Sequence, residues 1–83
     1  MSESRSEVLK AFGQLIRQRR QTLGISQEEL GYRAGLDRTY VSGLERGVRN
    51  PSLTALVSLA QGFGINVSDL ADQLEQEMGN ANR

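Results

Sequence analysis

The most informative stretch of the chain is Ser26-Gln27-Glu28-Glu29-Leu30-Gly31-Tyr32-Arg33-Ala34-Gly35-Leu36-Asp37-Arg38-Thr39-Tyr40-Val41-Ser42-Gly43-Leu44-Glu45-Arg46-Gly47. Ser26 and Glu29 have the spacing of a capping box, in which the hydroxyl takes an orphan N–H and the carboxylate reaches back. A short helix over about 27–34 follows, buried through Leu30 and Ala34, and Gly35 ends it with a positive φ. Asp37 is a good N-cap for a next helix over about 38–46, inward through Val41 and Leu44 and closed by Gly47. Two helices crossing at roughly 90–120° through so short a turn approach closely, and the contact needs a small side chain. Gly31 stands at that contact, at a cost of about 1 kcal/mol of helix propensity relative to alanine.

This arrangement predicts a helix-turn-helix, and the flanking sequence extends it. Upstream, Val8, Phe12, Leu15, Ile16 and Leu23 mark one face of a helix over roughly 6–23, with Gly24 as C-cap. Downstream, Asn50-Pro51-Ser52 reads as a turn and a cap for a fourth helix carrying Leu53, Leu56, Val57 and Ala60, which Gly62 and Gly64 break around Phe63. A fifth helix begins near Val67 or Ser68, with Leu70, Ala71, Leu74 and Met78 on one stripe and Asp69 near its positive end. Residues 1–5 and 79–83 are expected to fray. No stretch alternates with period two for long enough to make a strand. The predicted architecture is all-α: a compact five-helix bundle forming one domain over 1–83, ordered over about 6–78, with the helix-turn-helix at 27–46.

Eighty-three residues allow one small domain, near the lower end of what folds alone. Without cysteine there is no disulfide framework or thiolate chemistry, and without histidine the commonest metal ligand and general base is missing. No apolar run approaches the ~18 residues of a membrane span, and residues 1–10 are too charged for a signal peptide, so a cytoplasmic location is expected. Ten cations balance ten acids, a zero that on its face speaks against nucleic acid. The sum conceals its distribution. Residues 1–49 hold nine cations against six acids, a charge of +3, and residues 50–83 hold one against four, a charge of −3. Nine of the ten cations are arginine, whose planar fork suits phosphate and guanine edges. The alternative is an ordinary solvated surface with chance asymmetry.

The segments 26–35, 36–47 and 49–53 resemble the lambda/434-repressor-like, Xre-type transcription regulators, and the resemblance runs from about Ala11 to Leu74. Within that superfamily, Asp37-Arg38-Thr39-Tyr40-Val41-Ser42-Gly43 is similar to the controller proteins of restriction–modification systems. The resemblance implies a five-helix domain that forms a homodimer on a palindromic double-stranded DNA operator. It also implies regulation of the chain's own gene and of a linked endonuclease gene, with the protein on the nucleoid when bound.

Once Val41 and Leu44 turn inward, the third helix presents Arg38, Thr39, Ser42, Gly43 and Arg46. The first-turn residues of a recognition helix reach base edges in the major groove. Arg38 is assigned to guanine O6 and N7, a contact worth about 1–3 kcal/mol of discrimination; the alternative is a solvated cation paired with Asp37 or Glu45. Thr39 offers a hydroxyl or its methyl to a base. Ser42 serves a base or a phosphate, and Ser42 and Gly43 are small enough to let the helix sit deep. Gln27 heads the second helix, whose N-terminus favours a phosphate. Tyr40 either sets its hydroxyl on the DNA backbone or lies at the core edge. Arg46 flanks the end of the third helix. The resemblance implies that Arg49 reaches DNA as a phosphate or base contact and that Glu45 orients a neighbouring arginine. Arg17, Arg19, Arg20 and Arg33 are second-rank backbone candidates, one or two of them surface ion-pair partners instead.

A helix of about ten residues spans about 15 Å and reads around four base pairs. That is too few to select one site among ~10⁶–10⁹ competitors, whereas two copies about one DNA turn apart suffice. The acidic half, through Phe63, Ile65, Val67 and Leu70, is the expected dimer contact; the alternative is that these residues only close the core. The family adds two dimers on tandem sites, and activation would add RNA polymerase as a partner. No membrane, small-molecule ligand, cofactor or metal is expected. Two other readings compete: a stand-alone phage-type repressor, and an antitoxin or interaction module, for which only residues 1–7 and 75–83 are spare. Catalysis is not expected. Glu28/Glu29 and Asp69/Asp72 are the close carboxylates, both on predicted solvated faces, and capping accounts for Glu29 and Asp69.

Overall fold

In α1 (Arg5–Leu23), Phe12, Leu15 and Ile16 recur at helical spacing and all three are buried, so this face anchors the molecule. The computed structural model describes residues 5–81 and adds α2 (Gln27–Ala34), α3 (Arg38–Glu45), α4 (Leu53–Phe63) and α5 (Val67–Ala81), with no strand among the described residues. The fold is the all-α five-helix bundle that the periodicity predicts. α1 packs on α3 and α5, α2 on α3 and α4, and α4 on α5. Ile16, Leu30, Val41 and Leu59, one from each of the first four helices, are wholly buried at the centre, and Leu70 of α5 closes it. Each such side chain contributes about 1.5–3 kcal/mol relative to leaving it in water.

Two backbone approaches fix how α3 is carried. At the α2–α3 turn, Gly35 adopts φ +68°, and the Leu36 N–H donates to the Gly31 carbonyl at 2.8 Å, a Schellman closure. A Cβ on Gly31 would lie 2.5 Å from the Leu36 carbonyl oxygen, so Gly31 accommodates the turn itself. On the other side of α3, a Cβ on Gly13 would lie 2.5 Å from the Leu44 carbonyl oxygen and 2.6 Å from that of Glu45. Gly13 therefore lets α1 touch the backbone of the last turn of α3, a requirement that periodicity does not reveal.

The structure corrects several local expectations. Ser26 caps the Glu29 N–H at 3.0 Å, but the Glu29 carboxylate pairs with Arg33 across one helical turn, so the capping box is half formed. Asp37 occupies the N-cap position of α3 without a side-chain cap bond, whereas Ser52 caps α4 through the Ala55 N–H at 3.1 Å. α3 ends at Glu45, with Arg46 as its C-cap, one residue short of the predicted limit. Gly62 does not break α4: the helix runs through it to Phe63, and since a Cβ there would lie 3.2 Å from that of Ala34, the small residue serves the α2–α4 contact. Arg5 belongs to α1. Gly79, Asn80 and Ala81 belong to α5, since an established helix adds a hydrogen bond with each residue even without apolar contacts. The predicted fraying of residues 1–4 and 82–83 lies outside the described residues. Leu23 and Leu53, assigned to apolar faces, are exposed.

Candidate nucleic-acid interface

α3 is an eight-residue helix with two unlike faces. Val41, Gly43, Leu44 and Glu45 are buried, while Arg38, Thr39 and Arg46 are exposed and Ser42 lies half-buried between them. Among the described residues, Arg38 makes no hydrogen bond or ion pair, so its fork is open and neither Asp37 nor Glu45 takes it. The Arg46 Nε donates to the Ser42 hydroxyl at 3.3 Å, joining successive turns of the same face.

Behind this face stands a charged cluster. The Glu45 side chain is wholly buried and accepts from Arg20 Nε at 2.7 Å, Arg20 Nη2 at 3.0 Å and Gln27 Nε2 at 3.0 Å, with Arg17 Nε at 3.5 Å. Burial pushes the Glu45 carboxyl up, but the Arg20 fork, Gln27 and Arg17 together outweigh it and hold the group below the usual carboxylate range. The hydrogen bonds to Glu45 raise Arg20 against the opposing effect of its own burial. Arg20 also donates through Nη1 to the Ile25 carbonyl at 3.0 Å, fixing the link that precedes α2. The cluster thus ties α1, the start of α2 and the end of α3 into one rigid corner.

The remaining predicted contacts separate by position. Gln27 heads α2 with its amide directed to Glu45. Arg17 is half-exposed beside Glu45, and Arg33 is half-exposed and paired with Glu29. Arg19 reaches α5 and the end of α4 instead, donating through Nε to the Gln73 side-chain Oε1 at 3.0 Å, with its guanidinium 5.8 Å from the Phe63 ring centre. Tyr40 is half-buried against the core, accepts the Ser52 N–H at 3.4 Å, and carries the Arg49 guanidinium 5.0 Å above its ring centre. Gly43, expected on the outward face of the third helix, is buried instead, because the Arg49 stem lies over it. Phe63 and Leu70, at 8% and 2% exposure, belong to the core, and Ile65 packs against it; Val67 keeps 39%. Val67 borders an apolar groove with Phe12, Leu56, Leu70, Ala71 and Leu74, and Val57 is exposed on α4 nearby in sequence. Sequence reasoning overlooked Gly13, the Gln27–Glu45 bond and the Gly43–Arg49 contact, since each joins separate segments of the chain.

The helix-turn-helix family model matches residues 16–70, which include all of α2, α3 and α4. Control protein C.BamHI of Bacillus amyloliquefaciens is 42% identical over 62 residues, covering 74% of this chain and 76% of the relative. Among solved structures, the restriction-modification controller protein C.AhdI from Aeromonas hydrophila superposes with a TM-score of 0.72 at 47% identity, over 75% of this chain and 94% of that one. The C.Esp1396I tetramer in complex with its natural 35 base-pair operator superposes with a TM-score of 0.79 at 32% identity, over 86% and 93%. The chain belongs to the helix-turn-helix family that includes the restriction–modification controller proteins.

Proposed function

We propose that the chain is a sequence-specific DNA-binding transcription regulator, acting as a cytoplasmic homodimer on a palindromic operator and controlling its own gene within a restriction–modification system. The observation that carries this reading is the outward face of α3, where Arg38, unpaired and exposed, stands beside Thr39 on a helix braced from behind by Glu45. A guanidinium without a protein partner, one turn from a small hydroxyl, is suited to a guanine edge in the major groove. Arg38, Thr39, Ser42 and Arg49 are assigned to bases, and Gln27, Tyr40, Ser42, Arg46, Arg17 and Arg33 to phosphates. The operator complex of C.Esp1396I supports the assignment by analogy of fold.

The second copy is assigned to the acidic end of the molecule, over residues 1–83 taken as a single domain. With Phe63 and Leu70 already in the core, the available apolar surface is Val67, Val57 and the groove among α1, α4 and α5, mostly on the acidic half of the chain. The reading assigns no catalysis: Glu45 is committed to Arg20 and Gln27, and Glu29 to Arg33. Selection of duplexes from a random-sequence library tests the whole. A palindrome is expected, with half-sites about one DNA turn apart and a binding constant that falls with salt by about 0.9 log units per log unit for each phosphate neutralised. Enrichment of no sequence over the starting library would overturn the reading.

A further inference from the structure

We propose that Gly43 and Tyr40 form a seat for the Arg49 side chain that holds its guanidinium in place before DNA is met, so that Gly43 governs specificity without touching a base. The inference rests on the reading of α3 as the DNA-facing helix. Gly43 is a glycine in an unfavourable place. Gly43 lies inside α3 at a helical φ, where glycine costs about 1 kcal/mol relative to alanine and no positive φ demands it. What lies against it is the Arg49 stem, at the near limit of van der Waals contact. A Cβ on Gly43 would lie 3.4 Å from both Cβ and Nε of Arg49 and 3.8 Å from its Cδ, so the arginine stem lies along the surface that a side chain would occupy.

The far end of Arg49 is held as well. Its guanidinium lies over the Tyr40 ring, and that ring is steadied by the core on one side and by the Ser52 N–H on its hydroxyl. The backbone between seat and arginine is tied back to α3: the Gly47 N–H donates to the Leu44 carbonyl at 3.0 Å and the Val48 N–H to that of Gly43 at 3.1 Å. Gly47 turns the chain with φ +75°. The loop is thus an extension of α3, although it lies beyond the helix end.

A cation–π contact engages the charge of a guanidinium without consuming its N–H donors, and Arg49 has no ion pair among the described residues. An arginine so placed presents a fork whose rotamer freedom is already reduced in the free protein, which lowers the ordering penalty on binding. Position 43 therefore acts through Arg49, as a positioning residue.

The test uses the full chain and the duplex selected from the random library by the wild type. Gly43→Ala is expected to unfold at or above the wild-type midpoint, because alanine is the better helix former, while affinity for the selected duplex falls about fivefold or more. In the Arg49→Ala background, Gly43→Ala is expected to have no further effect on affinity. A methyl that merely struck DNA would keep its penalty without Arg49, so additive effects overturn the seat. In DNA-free protein, the Tyr40 ring current should move the Arg49 Hδ resonances upfield, and Gly43→Ala and Tyr40→Leu should each return them toward random-coil positions. Unshifted Hδ resonances in the wild type also overturn it. A wild type that selects no duplex defeats the DNA reading; selection of a duplex with additive variants defeats the seat alone.

Discussion

Arg20 and Glu45 meet through two parallel hydrogen bonds, Nε to Oε2 at 2.7 Å and Nη2 to Oε1 at 3.0 Å, although 25 residues separate them in sequence. The carboxylate is wholly buried and the guanidinium mostly so, at 0% and 16% side-chain exposure. Two charges out of water are tolerated here because the geometry is bidentate and Gln27 satisfies a further lone pair. Their consequence is positional: the last turn of α3 cannot move relative to α1 without separating them.

Arg20→Ala leaves the buried carboxylate with Gln27 and the longer, half-exposed contact to Arg17 at 3.5 Å, and is expected to destabilise the fold by about 3–5 kcal/mol. Replacing both partners, as in Arg20→Met with Glu45→Leu, should cost less than Arg20→Ala alone. Urea unfolding measures both. A single variant within about 0.5 kcal/mol of wild type would show that the pair does not hold the corner.

Acid should expose the same interaction. The Glu45 carboxyl lies lower in the folded chain than in the unfolded one, whose value is about 4.3. Its contribution is therefore complete above that value and disappears as pH falls through the folded pKa. Thermal unfolding between pH 6 and about pH 2 should show a steeper loss in wild type than in Glu45→Gln. Parallel curves would refute the assignment.

Gly13→Ala and Gly31→Ala each place a methyl 2.5 Å from a carbonyl oxygen, and the backbone, unlike a side chain, cannot swing aside. Each is expected to destabilise by about 1–3 kcal/mol despite better helix propensity. Gly79→Ala, in open space on α5, should be neutral or slightly stabilising. The contrast is read from chemical denaturation midpoints.

The serine caps and the aspartate cap should separate. Ser26→Ala and Ser52→Ala each remove a hydrogen bond to the first turn of a helix and should cost about 1 kcal/mol. Asp37→Ala removes no such bond and should stay within about 0.5 kcal/mol. Equal losses at all three positions would contradict the cap geometry.

On the selected duplex, Arg38→Ala should lose about 1–3 kcal/mol of discrimination against a substituted guanine. Arg46→Ala should instead weaken binding evenly across sequences and reduce the salt slope by about one. Competition titrations at several salt concentrations distinguish the two. Intact discrimination in Arg38→Ala would remove it from base readout.

The helices of this protein, their turn glycines and two of its serine caps are legible in the sequence because each depends on residues within four or five positions. Apolar spacing places Leu30, Val41 and Leu44 inward, and the same spacing leaves Arg38, Thr39, Ser42 and Arg46 outward, so the outline of the interface is local information too. The tertiary fold decided the rest. Nothing near Glu45 announces that Arg20 and Gln27 will close on it, nor near Gly13 that a carbonyl of α3 will arrive there. Gly62 reads as a helix breaker until Ala34 is set against it, and Phe63 and Leu70 read equally as dimer contact or core until the packed helices place both in the core. Periodicity states which side of a helix is apolar, but a close approach or a buried charge pair depends on which other segment is brought to that side, and only packing in three dimensions determines that.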